Sequence, residues 1–245
     1  MRRHLGWALV SVISLAGLGS ALAADMAVKA PPPVVAPIYD WTGFYLGGEA
    51  GYSWINAATN YPNAFPIGNA TTNHPDSGLF GGHVGYRWQL PSRWVLGLEI
   101  SADSLFNQSV HSTPSGFPAG NDAVIRANWM ASARGSVGYA WNRSLLYVTG
   151  GAAYLNTDGL TYLPFLVPQV GTNYSSDRWG WTVGAGFAYA LTNQWLVNLE
   201  YRYANFGTTT YNVPLFVAYQ NVKLEQNLVL VGLSYKFGGP VVAKY

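Results

Sequence analysis

The chain contains no cysteine at all, and only 10% of its 245 residues are charged, well under the ~25% of an ordinary soluble domain. Without cysteine there is no disulfide framework, no thiol chemistry and no cysteine metal site. Thirteen basic residues stand against 11 acidic ones, too even a balance for a nucleic-acid footprint. After the N-terminal stretch no apolar run reaches the ~18 residues of a membrane helix, and 3.6-residue amphipathic periodicity is missing. What the chain has is aromatic side chains, 15% of residues, and 28 glycines. That composition excludes a disordered, charge-rich chain. It calls for a solvent other than water on part of the surface, and a membrane is the direct candidate.

The N-terminus reads as an export signal. Met1-Arg2-Arg3-His4 is basic, Leu5 to Leu22 is apolar, and Ala21-Leu22-Ala23 fits a small-residue cleavage site, so residues 1–23 are expected to be removed. Loss of Arg2 and Arg3 would leave acidic and basic residues in balance. Residues 24–40, with Pro31-Pro32-Pro33, read as an extended periplasmic linker. The barrel described next is expected to occupy 41–237, with a C-terminal extension at 238–245.

Period-2 alternation carries the rest. Eight strands are predicted at 41–54, 78–89, 94–103, 124–140, 145–156, 178–190, 195–202 and 227–237. In Gly78 to Gln89, for example, Phe80, Val84, Tyr86 and Trp88 oppose Leu79, His83 and Arg87. Nine charges within the strand cores, Glu49, Arg87, Glu99, Asp103, Arg126, Arg134, Glu200, Arg202 and Lys236, all fall opposite the bulky apolar set. Connections alternate: 55–77, 104–122, 157–177 and 205–222 are long and polar, whereas Pro91-Ser92, Asn142-Arg143-Ser144 and Thr192-Asn193-Gln194 are tight turns. Outer-membrane barrels have that asymmetry, short periplasmic turns and long extracellular loops.

The expected fold is therefore all-β: an eight-stranded, antiparallel, up-and-down transmembrane β-barrel. A bilayer core offers no partner to an unpaired backbone group, so a sheet that crosses it must close. About 10 residues per strand at ~3.3 Å rise and ~45° tilt span roughly 23 Å, close to the ~25 Å apolar band of such barrels. Aromatics collect at the strand ends, and Trp54, Trp88, Trp94, Trp179, Trp181 and Trp195 are expected in two interfacial girdles. Inside, Glu49, Arg87, Glu99, Arg134, Glu200 and Arg202 are expected to form an ion-paired network that plugs the lumen.

Several segments resemble the small outer-membrane immunogenic proteins of alphaproteobacteria, porin-family barrels of the OmpA type. These are Tyr39 to Gly48, Gly81 to Tyr86, Tyr147 to Tyr154, Gly180 to Gly186 and Val231 to Phe237. The resemblance implies residence in the outer membrane. Its partners would be outer-membrane lipids and lipopolysaccharide, with no nucleic acid. Gly232, Tyr235 and Phe237 also resemble the C-terminal signal read by the barrel-assembly machinery, although eight residues follow it here.

Enzyme chemistry finds little footing. His4 leaves with the signal, His74 and His111 fall in loops, and His83 faces the lumen as a polar filler. No Ser/His/acid grouping gathers at the outer strand ends, and Gly184-Ala185-Gly186 lacks the context of a nucleotide fingerprint. No catalytic, cofactor or metal residue is assigned. The expected function is structural and surface-interacting, with a narrow porin as the alternative and a membrane-embedded enzyme as the third reading.

Overall fold

A computed structural model describes residues 39–61, 69–112, 122–163, 170–213 and 218–238. The signal segment, most of the linker and residues 239–245 lie outside these, as do the tips of the outer connections. The described residues are built from strands β1 (Gly43–Tyr61), β2 (Asn69–Asn73), β3 (Asp76–Gln89), β4 (Trp94–Ser112) and β5 (Asp122–Trp141). They continue with β6 (Ser144–Leu163), β7 (Val170–Ala190), β8 (Trp195–Val213) and β9 (Ala218–Lys236).

Every pairing is antiparallel. From β3 to β9 each strand pairs with the next in the chain, and β1 pairs with β2 and β3 on one side and with β9 from Tyr45↔Lys236 to Asn60↔Asn221 on the other, which closes the sheet. β2 and β3 both pair with the same side of β1 and form one stave, so the barrel has eight. The break falls at His74-Pro75, where proline has no N–H for the ladder. The carbonyl of Pro75 still accepts from Ile55 N at 2.9 Å.

The tight turns sit at one end. Arg93 (φ 68°) and Asn142 (φ 52°) take the left-handed region there, and Thr192 Oγ1 caps its turn by accepting from the backbone N of Gln194 and Trp195. At the other end the strands run further than alternation predicts. β6 reaches Leu163, β7 begins at Val170, and β1 extends to Tyr61. Much of each polar connection is therefore hydrogen-bonded hairpin. Beyond the hydrocarbon the ladder still forms, but nothing there demands a bulky face, so the pattern that marks a strand fades before the strand does.

Register shifts occur at Ser104/Gln108, Ala127/Trp129 and Asn205/Thr208, all on that outer side. One displaced residue exchanges the faces of everything beyond it. This corrects the placement of Arg126: Ala127 is buried, Arg126 is exposed, and its neighbour across β6 is Asp158. The other eight strand charges do point inward, seven of them buried and Glu99 partly so.

The outer face is apolar, with Leu98 and Ile100 about 60% exposed. The inside carries two apolar clusters. The outer-side cluster holds Ile55, Leu79, Leu105, Met130, Leu155, Phe206 and Leu224, and the turn-side cluster holds Trp41, Tyr39, Val95, Leu145, Tyr147 and Leu196.

Candidate functional site

Between the two apolar clusters lies a charged layer. Glu99 on β4 and Arg134 on β5 are direct cross-strand partners, so their side chains start side by side. Arg134 Nη2 bonds Glu99 Oε1, and Nη1 crosses the lumen to Glu200 Oε1 on β8 at 2.6 Å. Arg202, two residues along and on the same face, reaches Glu200 Oε1 (3.0 Å), Asp103 Oδ2 (3.2 Å) and Glu49 Oε1 (3.4 Å). One guanidinium therefore meets carboxylates from β1, β4 and β8. His83 Nδ1 lies 3.2 Å from Glu49 Oε2, and its Nε2 is 2.7 Å from Ser234 Oγ. Two phenols complete the layer, Tyr45 donating to Glu99 Oε2 at 2.6 Å and Tyr147 to Glu200 Oε2 at 3.0 Å. The Arg134 and Arg202 side chains have no solvent exposure.

The layer fits because glycine faces each phenol. A Cβ at Gly186 would stand 2.5 Å from Tyr147 Cζ, and one at Gly85 would collide with the Tyr45 hydroxyl. Overpacking of this kind costs about 1–3 kcal/mol. Gly85→Ala is therefore expected to lower the urea midpoint of the refolded barrel. An unchanged midpoint would mean that Tyr45 moves aside freely.

Arg87 departs from its expected role. No carboxylate pairs with it among the described residues; its guanidinium carbon lies over the rings of Tyr45 (4.4 Å), Trp41 (5.6 Å) and Tyr147 (5.7 Å). The register explains this. Arg87 pairs with Gly43 and Gly97, one inward step nearer the turns than Glu99, and Tyr45 already occupies Glu99 Oε2. Asp103, His83, Tyr45 and Tyr147 belong to the same layer although the sequence reading left them out of the network. Their inward parity was visible, but not the reach of Arg202. Arg178 also points inward, donating to the Val222 carbonyl at 3.1 Å.

Tyr39, on the linker side of the boundary expected before residue 41, packs into the turn-side mouth with Trp41, while Asp40 between them is exposed. Tyr39 OH donates to the Asn193 carbonyl at 3.4 Å, and burial pushes its phenol up to about 12.

The girdle tryptophans sit at the two ends of the staves. Near the turns, Trp88 packs against Tyr86, Trp94 against Tyr139 and Trp195 against Tyr235. On the outer side, Tyr154 contacts both Trp129 and Trp179 at 5.1 Å, Trp181 meets Tyr203, and Trp54 lies beside Tyr52. Gly232 faces Asn198, while Tyr235 and Phe237 point outward. Phe237 N donates to the Phe44 carbonyl at 2.8 Å, so these last two aromatics flank the seam where β9 meets β1.

A family model described as the outer membrane protein beta-barrel domain matches residues 13–237. The chain belongs to the outer-membrane β-barrel family. It is 33% identical to the 31 kDa outer-membrane immunogenic protein of Brucella melitensis over 89% of this chain and 94% of that one. It is 30% identical to the 25 kDa outer-membrane immunogenic protein of Brucella abortus, over 97% and 100%. A 22 kDa outer membrane protein of Rhizobium leguminosarum is 29% identical over the same shares. Among solved structures, the Pseudomonas aeruginosa outer membrane protein OprG has the same fold at a TM-score of 0.55, with 16% identity over 83% of this chain and 100% of that one.

As an outer-membrane β-barrel, the protein turns its apolar band to lipid and its extended hairpins to the exterior. Chemically, the charged layer is an ion-paired network, although Asp103 Oδ1 and Arg134 Nε have no hydrogen-bond partner among the described residues. Four carboxylates (Glu49, Glu99, Asp103, Glu200) face the guanidiniums of Arg134 and Arg202, with His83 on Glu49 and Arg87 below Glu99. His74, outside the lumen, shares a 2.8 Å contact with Asn56. Among the described residues, no group of three or more His or acidic side chains is placed to hold a metal ion.

Proposed function

We propose that the protein is a non-enzymatic structural and surface-interacting barrel whose lumen is closed to solutes. One observation carries the reading: Arg202, wholly buried, is held by Glu49, Asp103 and Glu200 from three strands of the barrel, with an apolar cluster on either side. A water-filled pore would need this network parted, which strands charges that are costly to leave unpaired in a dry interior. A barrel of this kind braces the envelope and displays its outer hairpins. In this reading the aromatic outer rim contacts outer-membrane lipid and lipopolysaccharide, and Gly232, Tyr235 and Phe237 present the final strand to the assembly machinery. Recording from the purified, refolded protein in planar bilayers tests the closed lumen. No stable unitary currents are expected; sustained openings would make the protein a narrow porin instead.

A further inference from the structure

The turn-side mouth is filled by residues that are not part of the barrel wall. Tyr39, Asp40 and Trp41 precede β1, yet Trp41 is 1% exposed and shares a cluster with Val95, Leu145 and Leu196. The wall there is lined by Ala140, Ala188 and Ala190, small residues that leave the mouth to be filled by the two rings. We infer that Tyr39-Asp40-Trp41 is a stopper, docked into the mouth from outside the wall, and that it keeps water from the charged layer on the periplasmic side. The inference rests on the closed-lumen reading and names the part of the chain that does the closing.

Three features support it. First, the anchors come from around the mouth. Trp41 N donates to Gln89 Oε1 at 2.8 Å, and Gln89 N donates back to Thr42 Oγ1 at 3.0 Å. Lys236 Nζ on β9 donates to the Asp40 carbonyl, and Tyr39 OH reaches the turn before β8. Second, cations clasp both rings. Lys236 Nζ lies 4.4 Å and Arg143 Cζ 5.8 Å from the Tyr39 ring, while Arg87 stands over Trp41. Third, a pivot exists. Gly43, the first residue of β1, has φ 144°, where side chains are disfavoured, and a Cβ there would stand 3.0 Å from the Phe237 carbonyl. The chain bends at that glycine from the wall into the mouth.

The clasp is non-covalent and unevenly satisfied. Trp41 Nε1 and Arg87 Nη1 are buried donors without an acceptor among the described residues. Displacement of the stopper would return both to water, so apolar packing and the ring–cation contacts hold the closed state against that gain. Arg87 thus acts through Trp41: it is a positioning residue for the stopper.

The absence of native cysteine makes a direct test clean. Thr149 lies in the lumen on β6, one inward step further from the turns than Tyr147 of the turn-side cluster, 7% exposed, with an Oγ1 that has no partner among the described residues. Thr149→Cys in the full-length refolded protein places a single thiol behind the stopper. A small charged thiol reagent is expected to modify it slowly, and Trp41→Ala in that background is expected to raise the rate about tenfold or more. Arg87→Met, which keeps bulk but removes the cation, is expected to raise it several-fold and serves if Trp41→Ala fails to refold. Heat-dependent gel mobility verifies that each variant is a closed barrel. Folded variants that label as slowly as the parent, or a parent that labels like an exposed thiol, overturn the stopper. Open channels in the bilayer recording would instead overturn the closed-lumen reading, so the two failures are distinguishable.

Discussion

Arg202→Met is expected to destabilise the folded barrel by about 3–5 kcal/mol, the usual cost of removing one partner from a buried ion pair. The substitution keeps most of the volume and removes only the charge and its donors. Glu49 would retain His83, and Glu200 would retain Arg134 and Tyr147, but Asp103 would lose the only cation bonded to it among the described residues. The effect should therefore concentrate at Asp103, and pairing Arg202→Met with Asp103→Leu should recover a large part of it. Urea unfolding of the refolded protein, followed by heat-dependent gel mobility, reads both. A midpoint that does not move in the single variant would mean that water already solvates the layer. A double variant no better than the single would place the cost elsewhere. Arg134→Ala tests the other half: it takes from Glu99 the one cation bonded to it among the described residues, leaves Glu200 with Arg202 as its one bonded cation, and deletes packing as well, so its loss should be at least as large.

Alternation makes the barrel readable from the sequence because lipid punishes an outward charge at mid-depth and the lumen does not. Glu99 and Arg134 are visible as partners for that reason: their parity is right and their strands are adjacent. Three things escape the pattern. The first is Arg126, whose face depends on a displaced residue at Asn128, and nothing in Ala127-Asn128-Trp129 marks a bulge. The second is the true length of the staves. Thr157 to Leu163 reads as loop because Thr157, Asp158, Gly159 and Thr161 break the run of bulky alternation, yet it pairs residue by residue with Val170 to Ser176. The third is the lumen's own architecture. Which carboxylate Arg202 reaches depends on chain crossing the lumen, between residues 99 and 153 positions apart in sequence, and no local rule reports such distances. Arg87 shows the same limit: parity puts it inside, but only the folded mouth shows that aromatic rings, rather than an acid, receive it.

The outer face offers the opposite test, placing a charge where the fold forbids one. Ile100 points into the lipid midway along β4, 60% exposed and flanked by Val84 and Ala133 across its two neighbouring strands. Ile100→Arg is expected to cost about 2–4 kcal/mol when folding is measured in lipid vesicles, because a guanidinium near the midplane must thin the bilayer or drag water inward. Arg126→Leu is the matched control. Arg126 stands beyond the bulge, beside Asp158, outside the apolar band, and its replacement is expected to change stability by no more than about 0.5 kcal/mol. The contrast separates two barrel types with the same alternation. In a soluble cup the bulky face would line the cavity, and a charge at position 100 would be a buried lesion in any solvent. In a membrane barrel the penalty belongs to the lipid, so it should shrink in short-chain micelles, where water lies closer to the midplane. A loss for Ile100→Arg that is equally large in micelles and vesicles would contradict the assignment of this face to lipid.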